Sequence, residues 1–293
     1  MTANRSFLFT PGNHPRKVEK VFGCGADAVI LDLEDAVALA EKPATRAVVV
    51  EALKKPRTCR GYIRVNSFDT EFCYDDIVAV VGPWLDGIVL PKVESPDQLR
   101  TVDWLLGQLE RHSGLEPGSI DLMPIIETGL GVQQLPAICA SGTRVKRLSF
   151  GAGDYHLDMN LVWDQEEAAL ADVRARLVLE SRAAGLEPPI DTVVIHINDH
   201  DWLRASAERG RMMGCGGKLC IHPNQVAPVN EVYTPSEAEI EHARRVVEAF
   251  EEAERSGSAS IQLDGYFIDY PIVYRAQRLM DLYDSIKASS GGD

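Results

Sequence analysis

No stretch of this sequence reads as a membrane anchor or an export signal. The first residues, Met1-Thr2-Ala3-Asn4-Arg5-Ser6, lead only into a short apolar segment, so neither a signal peptide nor a membrane span is expected. Cysteine is sparse, with six residues in 293 and no CxxC pair, which disfavours a disulfide framework and suits a reduced cytoplasmic protein. No GxGxxG or GxxxxGKS loop occurs, which weakens any nucleotide-binding version of an α/β sheet. Basic charge is also short. Thirty Lys and Arg stand against 44 Asp and Glu, a net charge of −14, so neither nucleic acid nor a membrane surface is an expected partner. What is present is a globular composition, 45% hydrophobic and 25% charged, long enough for one barrel-sized domain with a small appendage.

Eight short apolar runs alternate with helical segments. Strands are expected at 6–10, 26–31, 61–66, 86–92, 120–126, 145–151, 192–196 and 218–223, with helices including 42–53, 95–110, 129–139, 165–184 and 202–213. A polar loop is expected around His156 and Asp158. The runs are continuous rather than alternating and end in Pro, Gly or acids. Such strands belong to a parallel sheet covered on its outside, and eight βα units predict an α/β fold of the TIM (β/α)8 barrel kind over 1–232. A doubly wound open sheet has the same grammar.

From 233 to 293 the pattern changes. Thr234-Pro235-Ser236-Glu237 starts a helix, Asp264-Gly265 is a hairpin turn between 260–263 and 266–268, and Asp269-Tyr270-Pro271 opens a last helix to about Ile286. Fraying is expected over Ser289-Ser290-Gly291-Gly292. This C-terminal helical and hairpin extension is too small to stand alone and is expected to pack on its own barrel or on a neighbouring subunit.

The C-terminal ends of barrel strands carry chemistry, and here they collect unlike polar groups: Asp32, Glu34 and Asp35; Arg64 and Asn66; Lys92 and Glu94; Glu127; Asp154 and Asp158; Asn198 and Asp199; His222. Carboxylates beside Arg and Lys suit a metal next to an anionic substrate. Glu127 and Asp154 supply the one or two carboxylates that Mg²⁺ usually takes. Glu34 and Asp35 would orient around them, and Arg64 offers a fork for a carboxylate or oxyanion. Each has a plainer reading. Arg64 can be read as a simple partner of Asp32 or Glu34, a strand-end acid is often a cap, and Arg16 and Lys17 on the first helix are a solvated face unless they meet phosphates. His222 is expected to be a buried hydrogen-bonding residue, a zinc site at His196 and His200 is disfavoured, and Cys215 and Cys220 read as structural.

Arg5-Ser6-Phe7-Leu8-Phe9-Thr10-Pro11-Gly12, Asp32-Leu33-Glu34-Asp35-Ala36-Val37, Ile63-Arg64-Val65-Asn66, Leu90-Pro91-Lys92-Val93-Glu94, Ile126-Glu127-Thr128, Phe150-Gly151-Ala152-Gly153-Asp154 and Gly217-Lys218-Leu219-Cys220-Ile221-His222-Pro223 occur in this order over nearly the whole chain. Together they resemble the citrate lyase beta subunit family, the HpcH/HpaI aldolase group that also holds malyl-CoA and citramalyl-CoA lyases. The resemblance implies a barrel of the phosphoenolpyruvate/pyruvate type, a homotrimer or hexamer, Mg²⁺ held by Glu127 and Asp154, and a substrate carboxylate on Arg64, with Glu34 and Asp35 in support. It implies carbon–carbon cleavage or formation between an acyl thioester, on CoA or an acyl carrier, and a 2-oxo acid such as oxaloacetate, glyoxylate or pyruvate. Arg16, Lys17 and Lys92 are the bases expected to meet the CoA. The segment Asp264 to Pro271 resembles the family's C-terminal acid motif, which makes Asp269 the expected proton-transfer group, reaching a neighbouring subunit's site. The sequence departs from the family at Tyr155-His156 and Met159-Asn160, and in carrying His196 and His200, so the substrate's identity stays open there. A class II aldolase acting on a free hydroxy-oxo acid, and a non-catalytic subunit of a citrate lyase-type complex, are the alternatives.

Overall fold

Alternate side chains of a strand point to opposite faces, and in this chain that parity decides everything about the site. The structure, a computed structural model, describes residues 3–290, with side chains through 288. Two compact units appear, Asn4–Tyr233 and the chain from Thr234 onward together with Ala3.

In the first unit the elements run β1 (Ser6–Pro11), α1 (Pro15–Val21), β2 (Ala28–Asp32), α2 (Lys42–Leu53), β3 (Arg60–Arg64), α3 (Cys73–Val80), β4 (Gly87–Leu90), α4 (Pro96–His112), β5 (Asp121–Ile126), α5 (Gly129–Gln133), α6 (Leu135–Cys139), β6 (Ser149–Phe150), α7 (Ala152–Asp158), α8 (Ala171–Ala183), β7 (Ile190–Asp191), α9 (His200–Met213), β8 (Gly217–Cys220) and α10 (Val226–Tyr233). The eight strands are parallel and close into a barrel in sequence order, β8 pairing with β1 through Ser6↔Lys218. The expected (β/α)8 barrel is therefore the fold.

Two apolar clusters lie on the two faces of this sheet. Inside the barrel pack Phe7, Ala28, Ile30, Tyr62, Val89, Met123, Ile125, Ile190 and Leu219. Their sequence neighbours, among them Leu8, Val29, Leu31, Ile63, Ile88, Leu90, Leu122, Ile126 and Cys220, face the helices instead. Both faces are thus buried, which is why the strands read as unbroken apolar runs. Helix starts follow local chemistry. Ser95 and Gln98 form a capping box on α4, and Thr128 accepts the Gly131 N–H at the start of α5.

Several boundaries differ from expectation. The sixth strand is two residues long, and the seventh is Ile190–Asp191 rather than 192–196. Side chains replace the ladder beyond Asp191: the Thr192 hydroxyl accepts the Ala152 N–H at 2.8 Å, and Gln225 Nε2 donates to the Val194 carbonyl at 2.9 Å. The polar loop expected around His156 is the helix α7, the 129–139 helix is split by Pro136 into α5 and α6, and α3 and α10 had not been foreseen.

The second unit contains α11 (Glu237–Arg255), β9 (Ile261–Leu263), β10 (Tyr266–Ile268) and α12 (Tyr270–Ser290). Ser236 and Glu239 form a capping box on α11. The hairpin turns on Asp264 and Gly265, at φ 52° and 85°, the paired positive values of a two-residue Asp-Gly turn. Val246, Phe250, Ile268 and Val273 form this unit's own small core. Of the fraying expected over 289–292, α12 includes Ser289 and Ser290, while Gly291 and Gly292 lie outside the described residues. Among the described residues no helix is long and apolar enough to cross a membrane.

Candidate active site

Stepping outward by two along each inward-facing series leads from core to chemistry. Ala28 and Ile30 are followed by Asp32, Tyr62 by Arg64, and Met123 and Ile125 by Glu127. The period of two that fills the barrel also places these side chains at its C-terminal mouth. They line a cavity of ≈ 270 Å³ together with Asp154, Gly151, Thr10, Thr192 and an apolar wall of Phe9, Ile125, Val193, Leu219 and Ile221.

Register fixes the first pair. Asp32 and Arg64 are ladder neighbours on β2 and β3. Arg64 donates from Nε to Asp32 Oδ1 at 2.7 Å and from Nη2 to Oδ2 at 2.6 Å, while Nη1 lies 2.8 Å from Glu34 Oε2. Phe9 packs on the guanidinium, 4.9 Å from ring centre to Cζ. Burial would raise the Asp32 carboxyl, but the charge and hydrogen bonds of Arg64 and the backbone N–H groups of Glu34 and Ala36 hold it below its usual range. Burial wins at Glu34, which is raised despite Arg64 and Lys92. The plainer reading of Arg64, a pairing with Asp32 or Glu34, is therefore true of both partners. It does not displace the functional one, since Arg64 still lines the cavity.

Glu127 follows the end of β5. It is 2% exposed, and burial followed by the negative charge of Asp154 pushes its carboxyl up to about 8. Gly151, which donates its N–H to the Ile126 carbonyl at 3.0 Å, makes room for it: a Cβ there would lie 2.2 Å from Glu127 Oε2. Asp154, in the first turn of α7, joins Asp32 and Glu127 as the third carboxylate on the cavity. Glu127 and Asp154, the two cavity carboxylates that Arg64 does not bond, fit a hard divalent ion with oxygen ligands. Among the described residues no group of three or more His, Cys, Asp or Glu could hold a metal, so water or substrate oxygens would complete the shell.

The Lys92 ammonium faces three carboxylates. Nζ is 2.6 Å from Glu34 Oε1, 3.3 Å from Asp35 Oδ2 and 3.7 Å from Asp154 Oδ1. Its backbone N–H donates to Glu127 Oε1 at 2.8 Å. Arg16 and Lys17 are exposed in the first turn of α1, which follows directly from the mouth end of β1. Asp269 belongs to the second unit, half-buried just ahead of α12.

Other strand-end groups have structural duties. Asp158 accepts the Gly129 N–H at 2.7 Å, Asp199 caps α9 by accepting the Trp202 N–H at 2.9 Å, and Glu94 accepts from the Thr128 hydroxyl. Buried Asn66 donates to the Leu33 carbonyl and to Asp76 and accepts from Lys42. His222 accepts the Asn224 N–H as expected of a hydrogen-bonding residue, but it is half-exposed rather than buried. His156 is buried, stacked on Trp163 at 4.0 Å with Nδ1 2.6 Å from the Ala152 carbonyl, and does not line the cavity. The Arg64 pairing expected with Asp32 or Glu34 is made with both, and the inward parity of Ile30 and Asp32 is what aims Asp32 at the guanidinium. Thr10, Thr192 and the apolar wall had been missed because they look like ordinary strand residues.

The HpcH/HpaI aldolase/citrate lyase family model matches residues 5–223. The citrate lyase subunit beta of Leuconostoc mesenteroides is 36% identical over 280 residues, 95% of this chain and 92% of that protein. The (3S)-malyl-CoA thioesterase of Cereibacter sphaeroides is 36% identical over 286 residues, 97% of this chain and 96% of that protein. Among solved structures, the CitE protein of Mycobacterium tuberculosis in complex with magnesium, acetoacetate and coenzyme A superposes with a TM-score of 0.78 at 27% identity, covering 96% of this chain and 98% of that one. The chain belongs to the HpcH/HpaI aldolase/citrate lyase family.

Proposed function

We propose that the protein is a cytoplasmic Mg²⁺-dependent carbon–carbon lyase that cleaves a 3-hydroxyacyl thioester, on CoA or an acyl carrier, into an acyl thioester and a 2-oxo acid, or runs the reverse reaction. The observation that carries this reading is the pair Glu127 and Asp154 on one cavity with Arg64. Similarity to the Leuconostoc lyase subunit and to a structure holding magnesium and coenzyme A supports it.

Glu127 and Asp154 would hold the ion, which supplies Lewis acidity and a template for a 2-oxo acid. Arg64, aimed by Asp32 and Phe9, meets the substrate carboxylate and the charge that grows on its oxygens. Glu34 steadies the other side of the guanidinium, and Asp35 does so one step removed, through Lys92. Arg16 and Lys17 are the bases for the CoA phosphates. Asp269 moves the proton at the acyl carbon, supplied from a neighbouring copy in a homotrimer or hexamer. The exposed Tyr266 and Phe267 beside it are apolar surface suited to such a contact.

The test is cleavage of malyl-, citramalyl- and citryl-CoA with Mg²⁺. Oxo-acid release by the wild type and its loss in Glu127→Ala support the reading; full activity in Glu127→Ala sinks it. Release of free CoA with retention of the hydroxy acid would instead make the chain a thioesterase, as in the Cereibacter relative.

A further inference from the structure

We propose that Lys92 is a positioning residue that governs cation occupancy: its ammonium is an internal counter-ion for Asp154 that a divalent cation must push aside. This rests on the metal site proposed above.

The acids at the mouth outnumber the bases. Asp32, Glu34, Asp35, Glu127 and Asp154 face Arg64 and Lys92, and Arg64 is committed to Asp32 and Glu34. Among the described residues Lys92 is the only cationic group within ion-pair reach of Asp154, at 3.7 Å. It holds Glu34 more closely, at 2.6 Å, and reaches Asp35 at 3.3 Å. The ammonium is a third exposed, so it has room to move.

The backbone of Lys92 does separate work. At φ 52° it adopts a left-handed conformation uncommon for a residue with a side chain. That conformation accompanies the 2.8 Å bond from its N–H to Glu127 Oε1, while the next N–H, of Val93, donates to the Ile125 carbonyl at 3.2 Å. A single residue thereby fixes one carboxylate through its main chain and neutralises another through its side chain.

A divalent cation held by Glu127 and Asp154 would repel the ammonium. Lys92 would then yield Asp154 and keep Glu34 and Asp35, its two shorter contacts. Its charge leaves Glu34 less pull on Arg64, so the guanidinium stays forked on Asp32. Two consequences follow. Without the ammonium the site binds a cation more tightly, and Glu34 competes with Asp32 for Arg64.

Mn²⁺ binding measured by the spin-resonance signal of the free ion tests this on the full chain, comparing wild type, Lys92→Met, Lys92→Gly and Glu127→Ala. Glycine keeps the N–H and tolerates φ 52°, so Lys92→Gly folds even where Lys92→Met does not. Lys92→Gly is expected to tighten Mn²⁺ by about tenfold. Its kcat for thioester cleavage is expected to fall while KM for the thioester holds, and Lys92→Arg to restore wild-type Mn²⁺ affinity. A folded Lys92→Gly that binds Mn²⁺ no more tightly than wild type overturns the proposal. If Glu127→Ala meanwhile loses Mn²⁺, only the role of Lys92 falls; if Glu127→Ala binds as wild type does, the metal site itself falls.

Discussion

Arg64 grips both carboxylate oxygens of Asp32, from Nε at 2.7 Å and Nη2 at 2.6 Å, across adjacent strands of the barrel. A bidentate fork fixes the guanidinium plane as well as its position. Lysine cannot reproduce it, so Arg64→Lys is expected to lower kcat/KM by roughly 10²–10³, the usual loss for a group that meets developing charge. Asp32→Asn keeps the shape and loses the charge, and about a 10–100-fold loss is expected. Steady-state kinetics beside thermal melts checks this; equal activity in Arg64→Lys would show that the fork is structural only.

The Glu127 carboxyl, pushed up to about 8 by burial and then by Asp154, links cation binding to pH. Below that pH an entering ion must displace a proton. Mn²⁺ affinity should climb about tenfold per pH unit between roughly 6 and 8 and flatten above. In the metal-free protein the sign for folding is opposite. Folded Glu127 keeps its proton above the ordinary carboxyl value of 4.5, so its contribution to stability falls as pH rises from there through about 8. Calorimetry of Mn²⁺ binding and urea melts of the metal-free chain read the two slopes; a pH-independent affinity would contradict the assignment.

A second buried charge cluster lies between the strands and the helices, away from the mouth. Asp191 Oδ2 accepts from Lys218 Nζ at 2.8 Å, and its Oδ1 from Arg174 Nε at 2.8 Å, with Glu167 also on Arg174 at 2.7 Å. Burial raises the Asp191 carboxyl, but Lys218 and Arg174 outweigh it and hold it below its ordinary value. Its contribution is therefore present above the unfolded value and is lost as pH falls through the lower folded one. Asp191→Asn leaves two buried cations short of an anion and should cost roughly 3–5 kcal/mol. Urea melts at acid and neutral pH measure this, and the variant's deficit should shrink in acid; an equal deficit at both would show that the charge is not the cause.

If Asp269 acts on a neighbouring copy, two inactive variants should rescue each other. Asp269→Asn and Glu127→Ala, each inactive alone, are expected to recover up to about a quarter of wild-type activity per site when mixed by reversible dissociation, since a subset of sites then carries both intact residues. Activity assays over mixing ratios check this, and the absence of any recovery in re-formed oligomers would place Asp269 in its own chain's site.

The barrel was legible because strands buried on both faces leave unbroken apolar runs, and β1 to β5 lie within about two residues of their expected bounds. β6 and β7 were not, because two residues of ladder carry almost no periodic signal and Thr192 and Gln225 finish the job with side chains. Glu127, Asp154 and Arg64 could be placed from strand ends alone. Lys92 could not: its left-handed backbone and its reach across to Glu34 and Asp154 are tertiary facts. The helix at 152–158 was hidden by its polarity, and with it the turning of His156 onto Trp163 and away from the cavity. His156 therefore does not line the cavity, whose apolar wall includes Phe9, Val193, Leu219 and Ile221.

Glu127 and Asp154 are expected to share one ion. Mn²⁺ titration of the purified chain should give a single saturable site per chain, weakened by about a hundredfold or more in both Glu127→Ala and Asp154→Ala while melting curves of the metal-free proteins stay cooperative. Wild-type affinity in either variant would contradict it.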